Sequence, residues 1–282
     1  MNKWLRRSAF IFMLAFVTAL TGFAIKDGDK DKDKDKSDKS SMVCRDDWHS
    51  DRLSSHCEIK EQTLPASGSV SVDGRQNGGV SVKGWDRNEI LVRARIQTAA
   101  PTQAEADALA QQITIETAGA KIFANGPETR RDYFWSASFE VFVPRHSDLA
   151  LTAHNGGIAI SDVQGRLEFT AVNGGVALKR VGGDVHGETT NGGLSIELTG
   201  DRWDGEAMDV KTTTGGISMS VPENYSAHLE TGTVNGNLSI DFPVTMQGRI
   251  SREIAVNLGS GGPTIRAMTT NGGVRVKRGS GN

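Results

Sequence analysis

Four carboxylates could do chemistry if the chain brings them together: Asp162, Asp184, Glu168 and Glu188. Cleavage of a glycosidic bond needs two carboxyl groups on one cleft, about 5–10 Å apart. A second acidic group, Asp201-Arg202-Trp203-Asp204-Gly205-Glu206 with Asp209 beyond it, offers oxygen ligands of the kind calcium takes. Its spacing matches neither the helix–loop–helix calcium motif nor the glycine-rich calcium repeat. Trp203 in that segment is a candidate contact residue for a partner or a sugar. Asp and Glu are also ordinary residues at solvated turns, and the second group reads equally as an insertion loop whose Trp203 covers the edge of the fold.

Cys44, His49, His56 and Cys57 could in principle hold a metal. Their spacing fits no standard zinc pattern, and adjacent residues on an extended strand point to opposite faces. Two thiols separated by a polar stretch in an exported chain instead predict a Cys44–Cys57 disulfide. His146, His154, His186 and His228 show no ligand spacing. The sequence has no Gly-x-Ser-x-Gly elbow, no His-Glu-x-x-His and no phosphate-binding glycine loop. The reading is therefore no catalytic, cofactor-binding or metal residues, no cofactor and no enzyme.

Export is expected from the N-terminus. Lys3, Arg6 and Arg7 precede an apolar run from Ser8 to Ala24 that ends in small residues, the form of a signal peptide over 1–24. If uncleaved, the same segment would tether the chain to a membrane. Residues 25–41 alternate Lys and Asp, lack apolar residues to bury and read as a disordered linker. Without residues 1–24 the balance is 29 basic to 34 acidic residues, which argues against a nucleic-acid partner. The protein is expected in the periplasm, at the cell surface or secreted.

The elements that must position all of this are announced by glycine. Asn-Gly-Gly occurs at Asn77-Gly78-Gly79, Asn155-Gly156-Gly157, Asn173-Gly174-Gly175, Asn191-Gly192-Gly193 and Asn271-Gly272-Gly273, with variants at Thr214-Gly215-Gly216 and Asn235-Gly236-Asn237. Each is followed by an apolar–x–apolar triplet. Asn155, Asn173 and Asn191 are 18 residues apart; the next intervals lengthen to 23 and 21. Asn-Gly turns a chain sharply, and alternation after the turn buries every second side chain. Two architectures fit: a parallel β-solenoid with 18-residue coils, or a meander of hairpins. In-register apolar columns favour the all-β solenoid, over residues 151–282. Residues 42–150 read as a β-rich section with a short helix near 103–111, packed on the solenoid as a cap.

Val70-Ser71-Val72, Asn77-Gly78-Gly79-Val80-Ser81-Val82, Gly84-Trp85-Asp86-Arg87, the helix with Glu105 and Ala106, and the later Asn-Gly-Gly series stand in the order of a known family. Over roughly residues 60–280 the chain resembles the putative-adhesin family of bacterial envelope proteins. That resemblance implies an extracytoplasmic, largely β-helical protein. It transfers no mechanism and no catalytic residue. The expectation is a non-enzymatic envelope module that meets an unidentified macromolecule, polysaccharide or protein. The alternatives are a structural spacer and, further off, a carbohydrate-active enzyme.

Overall fold

The computed structural model describes residues 42–44, 52–241 and 252–279. The expected signal peptide, the Lys/Asp linker and His49 lie outside the described residues.

The first part of the chain forms β1 (Ser54–Pro65), β2 (Ser69–Asp73), β3 (Val80–Trp85), β4 (Glu89–Ala100), α1 (Gln103–Gln111), β5 (Thr114–Glu116), β6 (Lys121–Asn125) and β7 (Phe134–Pro144). The helix starts where Thr102 caps it. Its Oγ1 accepts the Glu105 N–H and donates to the Glu105 carboxylate at 2.8 Å, a reciprocal cap. The repeat then runs through β8 (Asp148–Ala153), β9 (Ile158–Ser161), β10 (Gln164–Asn173), β11 (Val176–Lys179), β12 (Gly182–Asn191), β13 (Leu194–Glu197), β14 (Ala207–Thr214) and β15 (Ile217–Val221). It ends in β16 (Ala227–Asn235), β17 (Leu238–Ile240), β18 (Glu253–Leu258), β19 (Thr264–Asn271) and β20 (Val274–Arg278).

These strands form two ten-stranded sheets. Each coil contributes one strand to each, and coil stacks on coil in parallel: β8, β10, β12 and β14 in one sheet, β9, β11, β13 and β15 in the other. The solenoid, and not the hairpin meander, is the architecture. Alternation does the work. Ile158, Val176, Leu194 and Ile217 lie in register and buried, as do Ile160, Leu178, Ile196 and Met219. Leu149, Leu167, Val185 and Met208 line the facing sheet. The apolar columns interdigitate between the sheets and supply the main stabilisation.

The stack does not follow chain order at its ends. Strands β2 and β3 pair directly with β8 and β9, so a coil expected to belong to a separate cap lies inside the stack. The coil formed by β6 and β7 lies outside it. At the other end β19 and β20 insert between β14–β15 and β16–β17. Both sheets therefore run through the boundary expected at residue 150. Antiparallel strands finish three of the four edges: β4 and β1 beyond β7, β5 beyond β6, and β18 beyond β16. An open parallel edge would template further pairing, and these strands cover it there; the fourth edge is the three-residue β17, and short edge strands limit such pairing.

Candidate functional site

Every coil turns twice, and the two turns are built differently. At the Asn-Gly turn the asparagines stack. Asn155 donates to Asn77 at 3.1 Å, Asn173 to Asn155 at 2.9 Å and Asn191 to Asn173 at 2.9 Å. Thr214 occupies the next rung and interrupts the ladder, which resumes with Asn235 donating to Asn271 at 2.9 Å. Behind the asparagines the backbones touch. A Cβ on Gly156 would lie 2.3 Å from the Gly78 carbonyl oxygen, and one on Gly174 2.2 Å from that of Gly156. Gly192, Gly215 and Gly272 repeat the contact at 2.1 Å each. Glycine is needed there because no side chain fits. The buried hydroxyls of Thr189, Thr212 and Thr269 donate to the carbonyls of Gly174, Gly192 and Gly215, at 2.8, 2.7 and 2.8 Å.

The opposite turn is held by charge. Arg180 gives two hydrogen bonds of 2.7 Å to the Asp162 carboxylate and reaches Glu197 at 3.7 Å. Arg145 bonds Asp86 at 2.6 Å and approaches Asp162 at 3.8 Å. Asp162 and Arg180 turn the chain with φ of 60° and 50°. The Arg180 hydrogen bonds hold the Asp162 carboxyl below its ordinary pKa despite its burial, and Arg145 does the same for Asp86. This ladder was missed in the sequence. The 18-residue register that aligns Asp162 with Arg180 could have found it.

The carboxylates that could cleave a glycosidic bond are each engaged by a neighbouring side chain. Asp162 is locked to Arg180, Glu168 bonds Arg166 at 2.6 Å, Glu188 bonds Lys211 at 2.9 Å, and Asp184 faces His186 at 3.3 Å. Glu168 and His186 are register neighbours, as expected, but each has its own partner. The Asp162 carboxyl, held low by Arg180, is a poor general acid at neutral pH. Trp203 is corrected: it is 3% exposed, and its indole N–H donates to the Gly183 carbonyl at 3.2 Å. Its ring packs in the core below the loop that widens the repeat, so it presents no exposed contact. Asp204 in that loop accepts a 2.6 Å hydrogen bond from Gln164. Among the described residues, no group of three His, Cys, Asp or Glu is placed to hold a metal. Cys44 and Cys57 form the disulfide, with Cα atoms 5.8 Å apart.

A cavity of about 510 Å³ opens at the N-terminal end of the Asn ladder, lined by residues 74–77, 124–129 and 135–137. Here the outermost coil replaces Asn-Gly-Gly with the longer connection from β6 to β7. The connection is pinned three times: backbone bonds join Arg130 and Tyr133, the Tyr133 hydroxyl donates to Glu105 of α1 at 2.6 Å, and the Trp135 indole donates to the Pro127 carbonyl at 2.7 Å. Sequence reasoning passed over this site because Gln76, Glu128 and Trp135 share no motif; only the out-of-order stacking brings their segments together.

Two sheets of parallel coils, with matched turns and antiparallel ends, define a β-solenoid. Residues 60–277 match the model of the Toastrack DUF4097 family, and the chain belongs to that family. Comparison with curated proteins gives no match. Among solved structures it is distantly similar to a putative cell adhesion protein from Clostridium sporogenes, with 8% identity and a TM-score of 0.41 over 79% of this chain and 100% of that one. It is also distantly similar to putative adhesins from Bacteroides fragilis (10% identity, TM-score 0.32, 79% of this chain and 97% of that one) and Parabacteroides merdae (10%, 0.33, 79% and 96%).

Proposed function

We propose that the protein is a non-enzymatic, extracytoplasmic solenoid that binds a macromolecule of the cell envelope. Residues 1–24 direct export, and residues 25–41 act as the spacer between that segment and the solenoid. The observation that carries the reading is a rigid surface whose charges are already paired. On one sheet, Glu168, His186, Asp209, Arg266 and Glu230 follow each other across five coils in register. Arg266 lies 3.8 Å from Asp209 and 3.6 Å from Glu230. On the other sheet Ser81, Ala159, Ala177, Ser195 and Ser218 make a smooth row. Repeated coils hold such rows at a fixed spacing, which suits an extended polymer or protein better than a reacting small molecule. A disulfide also suits an oxidising compartment.

The test is cosedimentation of the purified protein with cell-wall polymer, membrane vesicles and surface polysaccharide, each with and without calcium. Saturable binding to one fraction is expected. Failure to bind any of them contradicts the reading and favours a structural spacer.

A further inference from the structure

The cavity at the end of the Asn ladder has the chemistry of a sugar site. In the ladder each amide donates toward the N-terminal end, so the series Asn191, Asn173, Asn155 ends at Asn77, whose oxygen accepts and whose own NH₂ has no partner among the described residues. Amides in series polarise one another and strengthen the terminal donor. The side chains of Gln76, Asn125, Glu128 and Ser136 also line the cavity without a hydrogen-bond partner among the described residues. Amides both donate and accept, and a carboxylate accepts, which together match the hydroxyls of a sugar. Beside them stands the half-buried Trp135 ring. Its orientation is set by the Pro127 bond and by Gly126, where a Cβ would lie 2.9 Å from the ring. An aromatic face can cover the C–H face of a sugar.

Charge narrows the ligand. Arg75 and Glu128 are the charged residues of the lining, and they cancel. Arg75 is moreover held by Asp73 at 3.5 Å and lies 4.5 Å over the Phe123 ring. A phosphate or polyanion needs converging cations, which this wall lacks. A lipid chain would bury the unpartnered polar groups at a cost. The cavity volume lies within the range of about 300–1,000 Å³ usual for small-ligand sites. The pinned connection means little ordering is needed on binding.

We infer that this cavity binds a short neutral segment of an envelope glycan. Trp135 is the stacking platform, and Gln76, Asn77, Asn125 and Glu128 supply the hydrogen bonds. The inference rests on the envelope-binding reading and names the class and place of the ligand.

The experiment titrates the full chain with maltotriose, cellotriose, mannotriose and chitotriose, by calorimetry and tryptophan fluorescence, alongside the cosedimentation. At least one trisaccharide is expected to bind saturably, with Kd below about 1 mM. Trp135→Ala should weaken it more than about tenfold. Gln76→Ala and Glu128→Ala, at exposed positions without partners in the fold, should each weaken it about threefold to tenfold while leaving the melting temperature unchanged. No binding of any of the four at about 10 mM overturns the inference. So does binding that is unchanged in Gln76→Ala and Glu128→Ala. If the envelope fractions bind wild type and these variants equally, the cavity fails and the envelope reading stands. If a trisaccharide binds at the cavity and no fraction does, the cavity stands and the envelope reading fails.

Discussion

The two turns of each coil solve the same problem in opposite ways. At the Asn-Gly turn, backbone touches backbone and neutral amides stack outside it. At the opposite turn, side chains of alternating charge join the coils, and glycine backbones meet there too, Gly183 against Gly165 and Gly205 against Gly183. Sequence length records the difference. Between Asn155 and Asn235 every insertion that stretches the 18-residue period, at 199–206 and 222–226, falls at the charged turn. The Asn-Gly turn shows none there, and its glycine contact recurs at each coil, with an amide rung outside it at Asn173 and Asn191. One turn keeps a constant length through these coils, and the other takes up variation.

The largest effect expected from this contrast separates adjacent glycines. Gly174→Ala places a Cβ 2.2 Å from the Gly156 oxygen, whereas Gly175→Ala places one 3.4 Å from the Gly193 oxygen. Urea unfolding should show a loss of more than about 3 kcal/mol for the first and less than about 1 kcal/mol for the second. Equal losses would break the contact argument. Asn173→Ala removes two rungs of the ladder and should cost about 1–2 kcal/mol by the same assay, with little dependence on pH.

At the charged turn, Asp162→Asn keeps a residue that tolerates positive φ and removes the ion pair. It should cost about 1 kcal/mol at neutral pH. Because the folded carboxyl is held low, the pair stabilises the fold above the ordinary carboxylate pKa. That contribution disappears as pH falls through the lowered folded value. Thermal melts of wild type and Asp162→Asn should therefore converge in acid; a gap that persists would remove the ion pair as its cause. The smallest effect is a gain. Thr214→Asn restores the missing rung between Asn191 and Asn271 and should add about 0.5 kcal/mol.

The repeated Asn-Gly-Gly made the solenoid legible, since one motif carried the turn, the alternation and the register. The helix was legible too, because residues 103–111 are rich in Ala and hold no β-branched residue. The 12-residue β1 was not. It lies at a sheet edge, buries no residue fully and shows no clean alternation. The order of the end coils was hidden for a different reason. Nothing local at Asn77 says that its neighbour is Asn155, because that pairing is decided by edge covering and core packing over 78 residues. The cavity inherits that obscurity. Trp203 stayed open between two readings, because an aromatic residue in an irregular loop has the same sequence context whether it covers the core or faces solvent; it covers the core.

The central claim is that the glycine seam behind the asparagines runs through a stack assembled out of chain order. Paired cysteines test it, since a disulfide forms only between residues whose Cα atoms lie about 4.4–6.8 Å apart. Under mild oxidation, Asn77→Cys with Asn155→Cys should cross-link in the folded protein, as adjacent rungs. Thr214→Cys with Asn235→Cys should stay reduced, because Asn271 stands between them. The reverse pattern, with 214 joined to 235 and 77 unlinked to 155, would contradict the account.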